Sequence, residues 1–247
     1  MAMLAMNLSG CPVTHKTRQG WDYHQLRHSF PGADTLTYNY AQSDQDIWVL
    51  SMLNGKRNGT YLEIGAGWPE HISNTALLEL QFGWHGVSID YQDGFAEMWR
   101  QAGRRTFQQG NGENVDFDKL LAGFPPVIDY LTIDCEPSWR TFEILQRIPW
   151  SRYQFRVITF EHECYSEGPQ IKQASREFLT TQGYCLAANN ISHLGIATDY
   201  EDWWVRPELV DPDRLQLLQQ VDDTVKDHKV YLYFRCFMKC GRINFSF

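Results

Sequence analysis

The chain has 247 residues, 43% of them hydrophobic and 21% charged, with a net charge of −8. That length can bury a full core as one domain, and the composition excludes a disordered chain. The negative balance argues against a general nucleic-acid binder, which presents a basic face.

Met1–Gly10 has no basic leading segment, and its apolar run is broken by Asn7, so no secretory signal is expected. No stretch reaches the about 18 apolar residues of a membrane span. The six cysteines are scattered, and no second pair joins Cys236 and Cys240 to complete a zinc site. They read as thiols of a cytoplasmic protein.

Residues 1–39 are irregular and polar, and are expected to form an N-terminal extension or cap. Asp44–Leu53 is apolar at Ile47, Trp48, Leu50, Met52 and Leu53 and is stopped by Asn54-Gly55, which predicts a helix. Tyr61–Ile64 reads as the first strand. Ser73-Asn74-Thr75 offers capping chemistry before a helix over Ala76–Leu80 that Gly83 closes. Further strands are expected at Gly86–Asp90, Arg105–Gln109, Val127–Asp134, Phe155–Phe160 and Tyr184–Ala188. Helices are expected at Phe95–Ala102, Val115–Leu121, Thr141–Arg147 and Ser175–Gln182. This alternation means βαβ units and a parallel sheet. Arg100, Arg104 and Arg105 read as a solvated helix face. Trp203-Trp204 reads as packing; on a strand, alternation would turn one of them inward and leave the other free to face solvent.

In such a sheet, ligands collect at the carboxyl ends of the strands. Those ends carry Glu63, Asp90, Asn111, Asp134 and Glu161-His162. Any one alone would be a loop residue or a cap, but together they describe a site. The first strand ends in Gly65-Ala66-Gly67, followed by Trp68-Pro69 with no third glycine at dinucleotide spacing. A carboxylate at Glu63 would repel a pyrophosphate and suits an ammonium group. Glu63 with Asp90 therefore favours S-adenosylmethionine over a dinucleotide, with Asp90 on the ribose hydroxyls and the Gly65–Gly67 backbone against the methionine part.

Several segments together carry a family resemblance: Tyr40-x-Gln-Ser-x-Gln-Asp46, Gly59-Thr-Tyr-Leu-Glu-Ile-Gly-Ala-Gly67, Ser73-Asn-Thr-Ala-Leu-Leu-Glu79, Gly83-Trp-x-Gly-Val-Ser-Ile-Asp90, Ile128-Asp-Tyr-Leu-Thr-Ile-Asp-Cys-Glu136 and Val157-Ile-Thr-Phe-Glu-His162. Over residues 40–205 the chain resembles the FkbM-type methyltransferases. It departs from them at Glu63, where the family often has Asp, and at Pro137, where it often has Gly. Residues 206–247 are left as a C-terminal extension with no assigned role.

The resemblance implies a class I methyltransferase fold, α/β and Rossmann-like. Its sheet would have seven mostly parallel strands, the last one antiparallel, with helices on both faces. The resemblance also implies an S-adenosylmethionine-dependent enzyme acting on the hydroxyl of a sugar or natural product. The alternatives are N-methylation of a peptide, or a binding domain that keeps the cofactor without catalysis. The expected cofactor contacts are Glu63, Gly65, Ala66, Gly67, Asn74, Asp90, Asn111 and Asp134. A hydroxyl acceptor benefits from a base worth roughly 10²–10⁴ in rate. His162 is the expected base, since an imidazole titrates near neutrality, with Glu161 and Glu136 beside it. A second expectation uses Asp134, Glu136, Glu161 and His162 as ligands to Mg²⁺, which would activate the acceptor oxygen. The expected partner is a small-molecule, glycan or peptide acceptor, with no nucleic acid and no membrane span.

Overall fold

The computed structural model describes residues 26–193 and 197–233. In chain order the elements are α1 (Gln45–Met52), β1 (Thr60–Ile64), α2 (Ala76–Phe82), β2 (His85–Asp90), α3 (Phe95–Gln101), β3 (Phe107–Gln109), α4 (Phe117–Leu120), β4 (Val127–Ile133), α5 (Ser138–Arg147), β5 (Gln154–Glu161), α6 (Cys164–Glu167), α7 (Gln170–Thr181), β6 (Cys185–His193), β7 (Ala197–Val205), α8 (Pro212–Leu218), β8 (Lys226–Asp227) and α9 (Lys229–Leu232).

The strands form one sheet in the order β3-β2-β1-β4-β5-β7-β6-β8. Strands β1 to β5 pair in parallel, and β7 runs antiparallel to both β5 and β6. A mostly parallel sheet in the order 3-2-1-4-5-7-6 with an antiparallel seventh strand is the class I methyltransferase fold. The two-residue β8 adds an eighth strand to the seven that the family resemblance implies. The order reverses between β1 and β4, which makes the gap above those two strands the point where ligands bind in open α/β sheets.

Both faces of the sheet are covered, as near-continuous apolar parallel strands require. Tyr61, Tyr130, Val157 and Trp203 pack on one face with α1 and α2. Leu62, Leu131, Ile158 and Trp204 pack on the other with Ile144 and Leu145 of α5 and Leu179 of α7. Trp203 and Trp204 thus sit on opposite faces, as alternation demands. Both are buried, so neither is an exposed aromatic wall.

Helix α1 is buried on every side, including its polar Gln45 and Asp46. Asp46 survives there by accepting the backbone N–H groups of Tyr40 at 2.9 Å and Ala41 at 3.2 Å. The segments flanking residues 40–205 share the first core. Leu26, Phe30 and Leu36 pack in it from the N-terminal side, and Leu218, Tyr231 and Tyr233 from the C-terminal side. They also meet each other, with the Arg27 N–H donating to the Leu232 carbonyl at 2.8 Å.

Candidate functional site

Strand β1 ends at Ile64 and is followed by Gly65, whose φ of 84° is a left-handed conformation that L side chains rarely adopt. A Cβ at this position would lie 1.7 Å from the Asp134 carbonyl oxygen, so only glycine lets β1 and β4 approach here. The Asp134 N–H donates to the Ile64 carbonyl, and the Gly65 N–H to that of Ile89, both at 2.9 Å. The turn then brings the Gly67 N–H to Asp90 Oδ2 at 2.9 Å. Asp90 Oδ1 accepts the Gln92 N–H, also at 2.9 Å. The carboxylate at the end of β2 is therefore held by two backbone donors before any ligand arrives, with acceptor capacity left on each oxygen.

A cavity of about 300 Å³ lies over these strand ends. It is lined by Gly65, Gly67, Trp68 and Phe95, by Gly110 to Glu113, Arg140 and Ile144, and by Asp90 and Asp134 to Glu136. The volume is within the range of small-molecule sites. Asn111 shapes its own loop, accepting the Glu113 N–H at 2.9 Å. Among the described residues the acids of the wall are Asp90, Glu113, Asp134 and Glu136, and its one cation is Arg140, with Nε 3.5 Å from Glu113 Oε1. Acids in this excess repel a pyrophosphate and attract a sulfonium or ammonium group.

Of the residues expected from the sequence, Gly65, Gly67, Asp90, Asn111, Asp134 and Glu136 line this cavity. The others do not, and each departure has a physical reason. Glu63 is buried outside the lining, where its Oε2 accepts the hydroxyls of Thr75 and Ser88, both at 2.6 Å. Burial raises its carboxyl pKa against the opposing pull of Arg104. It joins the start of α2 to β2 through Thr75 and Ser88, away from the cavity lining. Ala66 packs against Phe95 and Trp99. Asn74 is buried, with its amide donating to Thr132 Oγ1 at 3.0 Å.

His162 is fully buried and is not placed as a base. On β5 the side chain of Glu161 follows Thr159 on one face, so His162 turns to the other. Its Nδ1 accepts the Cys164 N–H at 3.3 Å, which leaves Nε2 as the proton-bearing nitrogen, 3.7 Å from Asp202 Oδ1. Arg176 grips the same carboxylate at 2.7 and 2.9 Å. Burial opposes ionisation of Asp202, but His162 and Arg176 outweigh it and hold the carboxyl well below the usual range. The expected Mg²⁺ set fails on the same geometry, since His162 cannot join Asp134 and Glu136. Among the described residues no cluster of three or more His, Cys, Asp or Glu is arranged to hold a metal ion.

Glu161, which ends β5, is not part of the cavity lining. Burial first, then the charge and hydrogen bond of Asp134, push its carboxyl well above the usual range. Its partner across the β5–β7 ladder is Glu201. Glu201 is raised to about 8 by burial, against the donors Trp203 and Gln45. Glu163 is pushed up to about 7 by burial and by the charges of Glu136, Glu167 and Asp134. Cys135 lines the cavity, where burial and the charges of Asp134 and Asp90 push its thiol up.

The sequence reading misplaced Arg104. It is 1% exposed, beneath the turn and not on a helix face. Trp68, Phe95, Arg140, Ile144 and Glu113 also line the cavity without having been expected there. The signal available for the last three was position, since they lie in the segments that follow β3 and β4.

No protein-family model matches the chain, and no curated protein matches it. Among solved structures it is similar to an rRNA methylase from Streptococcus thermophilus, at 12% identity over 65% of this chain and 92% of that one, with a TM-score of 0.42. It is similar to magnesium protoporphyrin IX methyltransferase from Synechocystis PCC 6803 with bound SAM, at 12% identity over 67% and 77% of the chains and a TM-score of 0.48. A third is TrmK of M. capricolum in complex with S-adenosylhomocysteine, at 12% identity over 66% and 67% and a TM-score of 0.45. At these scores none of the three decides the cofactor or acceptor of this chain. No described helix is long and apolar enough to cross a membrane.

Proposed function

We propose that this protein is an S-adenosylmethionine-dependent methyltransferase of the FkbM type that methylates a hydroxyl of a sugar or natural product. The observation that carries this reading is the acid-walled cavity at the β1–β4 reversal, with Asp90 fixed by the Gly67 N–H at its edge. Asp90 would take the ribose hydroxyls, the loop at Asn111 the adenine end, and the Gly65–Gly67 turn the methionine end. The sulfonium would then lie toward Asp134.

Methyl transfer from a sulfonium is an in-line displacement in which the donor is already activated. The main task of the chain is to align acceptor oxygen, methyl carbon and sulfur. With His162 turned to the opposite face, the acceptor's proton is assigned to Asp134, which lines the cavity.

A second reading, methylation of nitrogen on a peptide or amine, is favoured by Glu113 and Glu136 on the wall of the same cavity, which would attract a protonated amine. The test is transfer of labelled methyl from S-adenosylmethionine to panels of hydroxyl-bearing and amine-bearing acceptors. The first reading expects label on oxygen. Label on nitrogen alone selects the second, and cofactor binding without transfer to any acceptor leaves a binding domain.

A further inference from the structure

The geometry points to Arg104 as the positioning residue of the cofactor turn, a role that rests on the S-adenosylmethionine reading of the cavity. Arg104 leaves α3 by way of Gly103, whose φ of 76° swings the chain so that the guanidinium enters the protein. There it is buried. Burying a guanidinium is costly unless its donors are used, and here they converge on one segment. Nη1 donates to the Pro69 carbonyl at 2.5 Å and to Ser73 Oγ at 3.0 Å. Nη2 donates to Thr75 Oγ1 at 2.7 Å, and Nε to Glu79 Oε2 at 2.8 Å. Pro69, Ser73 and Thr75 all lie in the loop that runs from the glycine turn to α2.

The guanidinium also lies over the Trp99 ring, 3.9 Å from its centroid. The Trp99 Nε1–H in turn donates to the Gly67 carbonyl at 2.9 Å. Gly67 is therefore held from both sides, its carbonyl by Trp99 and its N–H by Asp90. Thr75 extends the chain in the other direction, accepting from Arg104 and donating to Glu63. One buried cation thus fixes both the loop beyond Gly67 and the ring that grips Gly67. Arg104 does not line the cavity. Its effect on a ligand passes through the turn, and so falls on whichever part of the ligand lies against Gly65–Gly67. In the proposed pose that is the amino-acid end and not the adenosine.

Calorimetry with S-adenosylhomocysteine and with 5′-methylthioadenosine, which lacks the amino-acid end, tests this on wild type, Arg104→Lys and Trp99→Phe. Lysine keeps the charge but cannot reproduce the fork of donors. Arg104→Lys is expected to bind S-adenosylhomocysteine about tenfold more weakly or worse, the scale of one charge-assisted hydrogen bond. Its affinity for 5′-methylthioadenosine should stay within about threefold of wild type, since the Gln92 N–H still holds Asp90 at the ribose when the Gly67 turn loosens. A folded Arg104→Lys protein that binds both ligands as wild type does, or loses both in equal proportion, overturns the role. If that variant fails to fold, Trp99→Phe decides. It keeps a ring beneath the guanidinium and removes only the N–H to Gly67, so the same uneven loss of about threefold or more is expected; unchanged or parallel affinities overturn the role. A wild-type chain that binds neither ligand removes the cofactor reading and the role of Arg104 with it. Wild-type binding with unaffected variants removes the role alone.

Discussion

The backbone N–H of Gly67 donates to Asp90 Oδ2 at 2.9 Å, joining the turn after β1 to the acid that ends β2. The same carboxylate is the proposed ribose ligand. Asp90→Ala is expected to weaken S-adenosylhomocysteine binding by about 1–3 kcal/mol, the scale for charge-assisted hydrogen bonds lost to the ligand. The fold should persist, because Asp90 is only partly buried at a strand end. Calorimetry paired with a thermal melt checks both halves, and unchanged affinity in a folded variant would place the ribose elsewhere.

Glu63 is expected to behave as a structural acid. Its two hydroxyl donors share one oxygen, so the amide of Glu63→Gln can still accept both. Cofactor affinity should stay within about threefold of wild type, since the side chain is outside the cavity. Glu63→Ala should cost about 1–3 kcal/mol of stability by stranding Thr75 and Ser88. A large loss of affinity in Glu63→Gln would return the residue to the ligand.

His162→Ala is expected to injure the fold and spare the chemistry. It empties a fully buried site and removes one of the groups that face Asp202, at a cost of about 2–4 kcal/mol. Denaturant unfolding should report that loss, while S-adenosylhomocysteine affinity at a temperature where the variant is folded should match wild type. A stable variant with lost turnover would reinstate the histidine as a base.

Glu201 carries a pH dependence whose sign follows from its raised pKa. Below about 4.5 the folded and unfolded chains both hold the proton, and its stabilising contribution is complete. Between about 4.5 and about 8 the unfolded chain releases a proton that the folded chain keeps, so stability declines as pH rises. Above about 8 the contribution is gone. Glu63, Glu161 and Glu163 are raised too and add slopes of the same sign. Melting temperature against pH should therefore fall less steeply across that window in Glu201→Gln than in wild type, and equal slopes would contradict the assignment.

The parallel core of the sheet and the strand-end acids were legible in the chain. Apolar runs ending in Gly65 and Asp90 mark strand termini directly, and the strand-helix alternation orders them. What those side chains face was legible only in part. Period-2 alternation forbids Glu161 and His162 from sharing one side of β5, and Phe160 marks the side that His162 takes, so that correction was within reach of the sequence. The surroundings of Glu63 were not, because Thr75 and Arg104 reach it from distant parts of the chain. Arg104 follows Gly103, where helical periodicity ends, so no pattern announces that it turns inward. The environment of β7 is set in the same way, since its acids Glu201 and Asp202 are partnered by Gln45, Trp203 and Arg176, two of which come from distant parts of the chain.

The central claim is that the cavity over β1, β2 and β4 takes S-adenosylmethionine. Isothermal calorimetry of the wild-type protein with S-adenosylhomocysteine, S-adenosylmethionine and NAD addresses it most directly. Binding of the first two, with none of NAD, is the predicted result; binding of NAD without S-adenosylhomocysteine would contradict it.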